Sequence, residues 1–252
     1  MIRHVKDDLY QIGQNVSGEY GSEAVHVYVL LNGGRAVLID CGSHLHREPI
    51  MAALEQVLDG ATPEYLLLTH SELPHAGNIA QVSDRWPGIQ VIVSNVMLPY
   101  IEVLPTVPLE NVTQVVPGTV IAFPNREIHC LTALLKDQPG SHWLYDTATE
   151  TLFTGDGFGY YHSAENHNKF SDEVADGVQV EQFAAYHKTA FRFMEWIKPA
   201  RFAKDLDVMF GNRPISIVAP IHGSAIRGDI DAHIARLKAA IEVCHDSYKK
   251  VS

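Results

Sequence analysis

Apolar and polar positions alternate in short runs along the first part of the chain, and turn residues separate the runs. Residues 26–31 and 36–40 are apolar runs that flank Asn-Gly-Gly at 32–34. Because asparagine and glycine accept the positive φ angles of a tight turn, this arrangement predicts a β-hairpin. Apolar residues at helical spacing over 49–58 predict a helix, and a continuous apolar run at 65–69 predicts a buried strand. The order strand, strand, helix, strand is typical of a mixed α/β domain.

The same alternation continues along the chain and predicts a layered α/β architecture. Helices are predicted at about residues 75–84, 96–103, 180–196, 199–210 and 229–244, and strands at about 89–94, 120–123, 128–135, 143–146, 151–155 and 215–219. Residues 160–180 are polar and irregular, and so long a connection indicates a functional lid or a mobile loop. Because no repeat or low-complexity linker divides the chain, we expect a single domain over residues 1–252.

Composition narrows the class of protein. The formal net charge is −11, whereas nucleic acids and anionic membranes bind clustered Lys and Arg, so neither is an expected partner. No segment approaches the ~20 consecutive apolar residues of a membrane span, and the N-terminus lacks the apolar stretch of a signal peptide. We therefore expect a soluble, cytoplasmic protein. Cys41, Cys130 and Cys244 are odd in number and widely spaced, which predicts buried, reduced thiols rather than disulfides or a CxxC site.

The chain has 14 histidines, and imidazole is the commonest transition-metal ligand near neutral pH. Three candidate ligands lie in one run, His-Ser-Glu-Leu-Pro-His-Ala-Gly at 70–77, which leaves an apolar strand and enters a helix. Alternate side chains of an extended segment point the same way, so His70 and Glu72 can converge. His75, at the helix start, can face the same cavity from the other side.

Two further candidates follow strands. Asp156 comes directly after the strand at 151–155, and His222 follows the strand at 215–219. Functional sites of α/β sheets lie at the carboxyl ends of strands, so these side chains are predicted to join the others in a metal site. Any one of them alone would more often cap a turn. Asp40 also ends a strand and is predicted to fix a loop or support a ligand rather than to bind metal.

Three segments carry a family resemblance. Leu-Leu-Leu-Thr-His-Ser-Glu at 66–72, Leu-Phe-Thr-Gly-Asp-Gly-Phe-Gly at 152–159 and Ala-Pro-Ile-His-Gly at 219–223 resemble, in order and spacing, the metal-binding loops of flavodiiron proteins. They are equally similar to the loops of oxygen-binding di-iron proteins that lack a flavodoxin domain. The resemblance covers nearly the whole chain. It implies the metallo-β-lactamase fold, an αββα sandwich, and a non-haem di-iron centre that binds or reduces O₂ or NO.

The resemblance also implies roles for the candidate ligands. By motif position, the first metal would be bound by His70 and Glu72 and the second by His75 and His222, with Asp156 bridging both. The glutamate distinguishes this branch from hydrolytic relatives, whose motif is H-x-H-x-D-H.

The chain departs from the family motif, H-x-E-x-D-H, at two positions. Pro74 occupies the place of the aspartate, and Lys136 occupies the place of a histidine about 20 residues before the bridging aspartate. Each metal thereby loses a ligand. An ammonium group is repelled by a divalent cation and attracted by carboxylates, so Lys136 could replace the charge of the metal by pairing with Glu72 and Asp156. Alternatively, its side chain is solvated and points elsewhere.

Metal binding could survive these losses in two ways. His75, His222 and Asp156 form a two-histidine, one-carboxylate set, which is typical of mononuclear non-haem Fe(II) sites with open positions for O₂. His142 or His26 could also rotate into the site, although packed or supporting positions are the simpler expectation for both.

Three functions therefore stay open, and whether the chain is an enzyme stays open with them. The first is a non-haem iron protein with one or two ions that binds or reduces O₂ or NO. A reductase would need a separate redox partner, because the sequence has no flavodoxin-like or CxxC rubredoxin-like segment. The second is a metal-dependent hydrolase, with zinc as the possible metal. The third is a metal-free or metal-poor binding protein in which Lys136 pairs with the carboxylates. The family resemblance leaves a homodimer possible.

Overall fold

Two β-sheets face each other, and helices cover their outer faces. The structure, a computed structural model, describes residues 1–18, 21–101 and 106–249. The first sheet has strands in the order β1 to β7: Ile2–Lys6, Leu9–Gly18, Gly21–Asn32, Arg35–Ile39, Thr62–Leu67, Gln90–Ser94 and Val112–Val115. The second has the order β12-β11-β10-β9-β8, with β8 to β12 at Val120–Phe123, Arg126–Thr132, His142–Asp146, Thr151–Gly155 and Ile217–Pro220. The layers form the predicted αββα sandwich.

Strand direction changes within each sheet. Strands β1 to β4 pair antiparallel, whereas β4 to β7 pair parallel, and in the second sheet only the β11–β12 pair is parallel. The predicted hairpin at 26–40 is confirmed as β3 and β4, whose turn uses Gly33 and Gly34 at φ +58° and +84°. The sequence did not predict β1, β2 or β7.

Three apolar layers hold the sandwich together. One lies under the helices of the first sheet and includes Leu54 and Ile79, and another lies under those of the second and includes Phe183 and Leu237. Between the sheets, the rings of Tyr28 and Phe153 meet edge to face at 5.3 Å. A fully buried side chain of this size contributes roughly 1.5–3 kcal/mol, so these layers supply most of the stability. The three cysteines are free and buried, as predicted.

Six helices lie within the described residues. They are α1 to α6 at Arg47–Leu58, Leu73–Ala76, Ile79–Arg85, Val180–Ala190, Pro199–Gly211 and Ile230–Lys249. Helices α1, α5 and α6 lie close to their predicted ranges, whereas the other predicted helices are shorter or divided. The helix predicted at 96–103 is only a 3-10 turn at Leu98–Tyr100, and residues 102 and 103 lie outside the described residues. Among the helices of the described residues, none is long and apolar enough to cross a membrane.

The prediction of one continuous helix at 75–84 is wrong, because Gly77 and Asn78 separate two helices, α2 and α3. A Cβ atom on Gly77 would come within 2.7 Å of the His44 backbone nitrogen, so the chain passes too close to the loop after β4 for any larger residue. The Asn78 amide donates hydrogen bonds to the carbonyls of Cys41, Gly42 and Ser43. The break therefore ties α2 to that loop.

The segment predicted as a lid or mobile loop is packed into the domain. Phe170 is buried between two guanidinium groups, Arg3 at 4.4 Å and Arg227 at 4.0 Å from the ring centre. Arg3 also pairs with Glu173 at 2.7 Å, and Arg227 pairs with Asp172 at 2.9 Å. These contacts fix residues 170–173 to β1 and to the chain after β12.

Replacing Phe170 with alanine should destabilise the protein by ~3–5 kcal/mol, because it removes a buried ring and leaves two guanidinium groups without their aromatic surface. Chemical denaturation measures the free energy of unfolding, and limited proteolysis should show new cleavage within 160–178. Leu109→Ala is the control, since Leu109 is 80% exposed and its loss should change stability by less than ~0.5 kcal/mol. Equal stability of the two variants would contradict the role of Phe170.

Candidate metal centre

Loops from both sheets meet at one end of the sandwich. The chain leaves β5 toward His70 and α2, leaves β11 at Asp156, and leaves β12 toward His222. The structure brings together four of the five predicted ligands, because the ring centres of His70 and His75 lie 4.5 Å apart and those of His75 and His222 lie 5.4 Å apart. Glu72 lies at the rim.

One group of donors converges on a common point. The Asp156 Oδ1 atom lies 2.9 Å from His75 Nε2 and 3.3 Å from His222 Nε2. Neither His75 Nε2 nor Asp156 Oδ1 makes a hydrogen bond of normal geometry among the described residues. Two donors that bind one ion at ~2.1 Å and at right angles lie ~3.0 Å apart, so the buried, unpartnered atoms fit a shared metal ion.

Carboxylates hold the far nitrogens of both histidines. His75 Nδ1 lies 2.9 Å from Asp40 Oδ2, and His222 Nδ1 contacts Glu23 Oε1. A carboxylate that accepts the N–H of Nδ1 leaves Nε2 as the atom that faces the site and can release its proton to bind a metal. Both histidines are therefore held in the ring orientation that a metal ligand needs.

Local structure sets these partners. Asp40, at the end of β4, adopts φ +57°, and its carboxylate accepts hydrogen bonds from the Thr69 backbone nitrogen at 2.7 Å and hydroxyl at 2.5 Å. The loop that carries His222 lies along β3, where Val25 pairs with His222 and the Gly223 nitrogen donates to the Ala24 carbonyl. This pairing places Glu23 beside His222.

Charges within this group stabilise each other in the metal-free chain. Burial disfavours an imidazolium, but Asp40 and Asp156 outweigh it and raise the pKa of His75 to about 9. Burial likewise opposes the charge of His222, whose pKa is raised well above its ordinary value by Asp156 and Glu23. Burial also opposes ionisation of Asp156, yet His222 and His75 hold the pKa of that carboxyl well below its usual range.

A second group of donors shares Asp156. His70 Nε2 lies 2.5 Å from Asp137 Oδ2, and donor atoms of His70, Asp137 and Asp156 all lie within 4.8 Å of one another. The same limit holds for His75, Asp156 and His222. Burial and the neighbouring Asp156 raise the pKa of Asp137, although His70 opposes the shift. The described residues therefore contain two adjacent donor groups that could each hold an ion.

The structure does not bring Lys136 into the site. Its side chain is exposed, and among the described residues no ion pair joins it to Glu72 or Asp156. The predicted replacement of the metal by this ammonium group is therefore wrong, because the loop turns its neighbour Asp137 inward instead. Glu72 is exposed, and its Oε1 accepts a hydrogen bond from Gln138 Nε2 at 2.8 Å.

His26 and His142 lie outside both donor groups. His26 is buried on β3, and its ring packs so closely on Gly13 that a Cβ there would lie 2.7 Å from two ring atoms. His142 is buried on β10, and burial lowers its pKa to about 4 although Asp40 opposes the shift. Both histidines occupy packed positions, as the simpler expectation stated, and neither is rotated into the site.

A cleft connects the donors to the surface. Glu72, Asp137 and Asp156 line one side, while Arg192, Phe193 and the 75% exposed Trp196 are among the residues that line the other. The buried ring of Tyr186 stacks on His222 at 5.5 Å and closes the site behind it. This polar and aromatic opening gives a small molecule access to the donors.

Sequence reasoning missed Glu23, Asp137 and Gln138. Asp137 had a detectable signal, because it adjoins Lys136 and carries the ligand chemistry that lysine lacks. Glu23 had no local signal, since it is 199 residues from His222 and reaches it only through the pairing of β3 with the last loop. Gln138 also had no signal in the sequence, because only its hydrogen bond to Glu72 connects it to the site.

Comparisons with known proteins agree with this architecture. The sequence matches the family described as ODP family beta lactamase over residues 24–223. The anaerobic nitric oxide reductase flavorubredoxin of Aeromonas hydrophila is 27% identical over 239 residues, which cover 91% of this chain and 47% of the relative. The chain thus spans about half the length of the curated relatives that it matches.

Solved structures share the fold. A flavodiiron protein from Giardia intestinalis superposes with a TM-score of 0.76 at 14% identity, covering 96% of this chain and 60% of that one. A flavoprotein from Thermotoga maritima superposes with a TM-score of 0.78 at 16% identity, covering 97% and 61%. The family match spans most of the chain and includes every residue of the two donor groups. The chain therefore belongs to the ODP family of β-lactamase-fold proteins.

Proposed function

We propose that the chain is a non-haem iron protein that binds or reduces O₂ or NO. The observation that carries the proposal is the convergence of His75 Nε2, Asp156 Oδ1 and His222 Nε2, with a carboxylate behind each imidazole. Two histidines and one carboxylate are typical of non-haem Fe(II) sites that keep open positions for a gas. The names of relatives, nitric oxide reductase and flavodiiron protein, support the same chemistry.

The residues would divide the work as follows. His75, Asp156 and His222 hold the iron, which when bound supplies a redox-active centre for a diatomic gas. Asp40 and Glu23 hold the imidazoles in the ligating tautomer. Tyr186 excludes water from the face of His222, and the cleft between Asp137 and Trp196 admits the gas.

Reduction of a gas also needs electrons. The structural matches cover 96–97% of the chain, so the lactamase-fold domain uses nearly all of these residues. The sequence contains no CxxC pair. Electrons would therefore come from a redox group outside these residues, for which the open side of the cleft at Trp196 is the accessible approach.

Metal content tests the proposal directly. Protein purified without added metal and without a histidine tag should contain one or two irons per chain by elemental mass spectrometry, and its visible spectrum should change on exposure to NO. Asp156→Asn should lose most of the iron, because it removes a donor common to both groups. Asp84→Asn, an exposed carboxylate on α3, is the control and should keep its iron. Protein that stays metal-free when supplied with iron would refute the proposal, and zinc with ester hydrolysis would favour the hydrolase.

Asp40→Asn should weaken metal affinity by ~10–100-fold without removing a ligand, because the amide orients His75 less firmly than a carboxylate. Competition with a chelator of known affinity measures the change. Asp84→Asn again serves as the control, and an Asp40 variant with unchanged affinity would show that His75 needs no support.

Metal affinity should rise with pH. His75 has a pKa of about 9 in the metal-free chain, so it is protonated at neutral pH and must release a proton to bind metal. Affinity should increase roughly tenfold per pH unit for each proton displaced, and the contribution of His75 to this increase should end above about pH 9. Calorimetry in buffers of different ionisation enthalpy measures the proton release. Asp40→Asn removes one of the charges that raise the pKa of His75, so the pH at which His75 stops contributing to the rise in affinity should be lower. Metal binding that is independent of pH would contradict the assignment of His75.

A further inference from the structure

We infer that Asp137 is a metal ligand and that a second ion binds between His70, Asp137 and Asp156. This inference rests on the proposed function, since it concerns the same centre. The motif of the chain's relatives places a histidine at the position of Lys136. In this chain the carboxylate of the next residue, Asp137, would take that role.

The first support is the geometry of His70 and Asp137. Their Nε2 and Oδ2 atoms lie only 2.5 Å apart, yet His70 Nε2 has no hydrogen-bond partner among the described residues. The imidazole is 1% exposed, so no bulk water can satisfy that nitrogen. Two buried donor atoms this close, in an ion pair that lacks hydrogen-bond geometry, could bind one ion between them as ligands.

The second support is how Asp137 is held. Its Oδ1 atom accepts a hydrogen bond from the Ser141 hydroxyl at 3.2 Å, and that hydroxyl also binds the Gln138 carbonyl at 3.0 Å. The carboxylate therefore has one oxygen fixed by its own loop and the other directed at His70. Carboxylates that bind a metal are held by hydrogen bonds in the same way.

The same loop turns Glu72 away. Gln138, the next residue, donates to Glu72 Oε1 at 2.8 Å and holds that side chain at the rim of the cleft. The loop therefore supplies the carboxylate of Asp137 and holds back that of Glu72. Asp156 belongs to both donor groups, so two ions would share it.

The histidines of the two donor groups differ in the hydrogen bonds of their Nδ1 atoms. His75 and His222 direct Nδ1 at carboxylates, whereas His70 Nδ1 accepts the backbone N–H of Glu72 at 3.0 Å. That hydrogen bond places the imidazole proton on Nε2, the atom that would bind metal. Binding there must move the proton to Nδ1 and turn the Glu72 peptide aside. The second ion should therefore bind after the first and more weakly.

Metal titration of the stripped full-length chain tests the inference. Mn²⁺ is the probe, added anaerobically and followed by calorimetry and by electron paramagnetic resonance. The wild-type chain should bind two ions in sequence, and the spectrum of an isolated ion should give way to that of a coupled pair. Asp137→Asn should keep the first ion with its affinity changed by less than ~3-fold, lose the second, and show only the isolated-ion spectrum.

Two further variants separate the ligand from its surroundings. Asp137→His restores a donor and should regain the second ion, even if Asp137→Asn folds poorly. Lys136→Gln changes the neighbouring exposed side chain and should keep both ions. Two ions bound to Asp137→Asn, or one ion bound equally by wild type and variant, would overturn the assignment of Asp137 while leaving the iron proposal intact. A chain that binds no metal would overturn both.

Discussion

The hydrogen bonds of Asp40 connect the sheet to the site, and the arrangement of the ligands depends on them. This carboxylate is fully buried, and its three donors are the Thr69 backbone nitrogen, the Thr69 hydroxyl and His75 Nδ1. An unpaired carboxylate at such a position would be strongly unfavourable, so the three donors and the carboxylate fix one another. The Cys41 nitrogen then binds the His75 carbonyl, which joins the start of α2 to the end of β4. His75 is thus held through both its side chain and its backbone.

Local pattern was sufficient where one face or one turn decides the structure. The hairpin of β3 and β4, the helix α1 and the strand β11 all lie close to their predicted bounds because each has a strong apolar run and clear turn residues. Pattern was insufficient where tertiary contacts decide. The break between α2 and α3 depends on the approach of His44 to Gly77, and the packing of residues 170–173 depends on arginines at positions 3 and 227. Neither contact can be read from its own stretch of sequence.

The site divides in the same way. Candidate ligands that directly follow strands, such as Asp156 and His222, were predictable because the sheet end determines where they point. The sequence did not predict which of Lys136 and Asp137 faces the site, because spacing along a loop leaves the direction of each side chain undetermined. The turn that binds Ser141 to Asp137 and to the Gln138 carbonyl settles it, and the residue that faces inward is the one whose chemistry suits a metal. The loop therefore presents the candidate ligand Asp137 to the site, and not the ammonium group of Lys136.

Charge balance explains why the two positions differ. Without metal, His75 and His222 supply the positive charge that faces Asp156, and a bound ion supplies it when the imidazoles become neutral ligands. Asp156 is therefore compensated in both states, and the fold does not depend on the first ion for its charge. Asp137 has the His70 imidazole and the Ser141 hydroxyl beside it, and Asp156 adds a second negative charge, so its ionised form is less well compensated. The first position is organised by hydrogen bonds to its histidines, whereas the second would acquire its balance from an ion bound there.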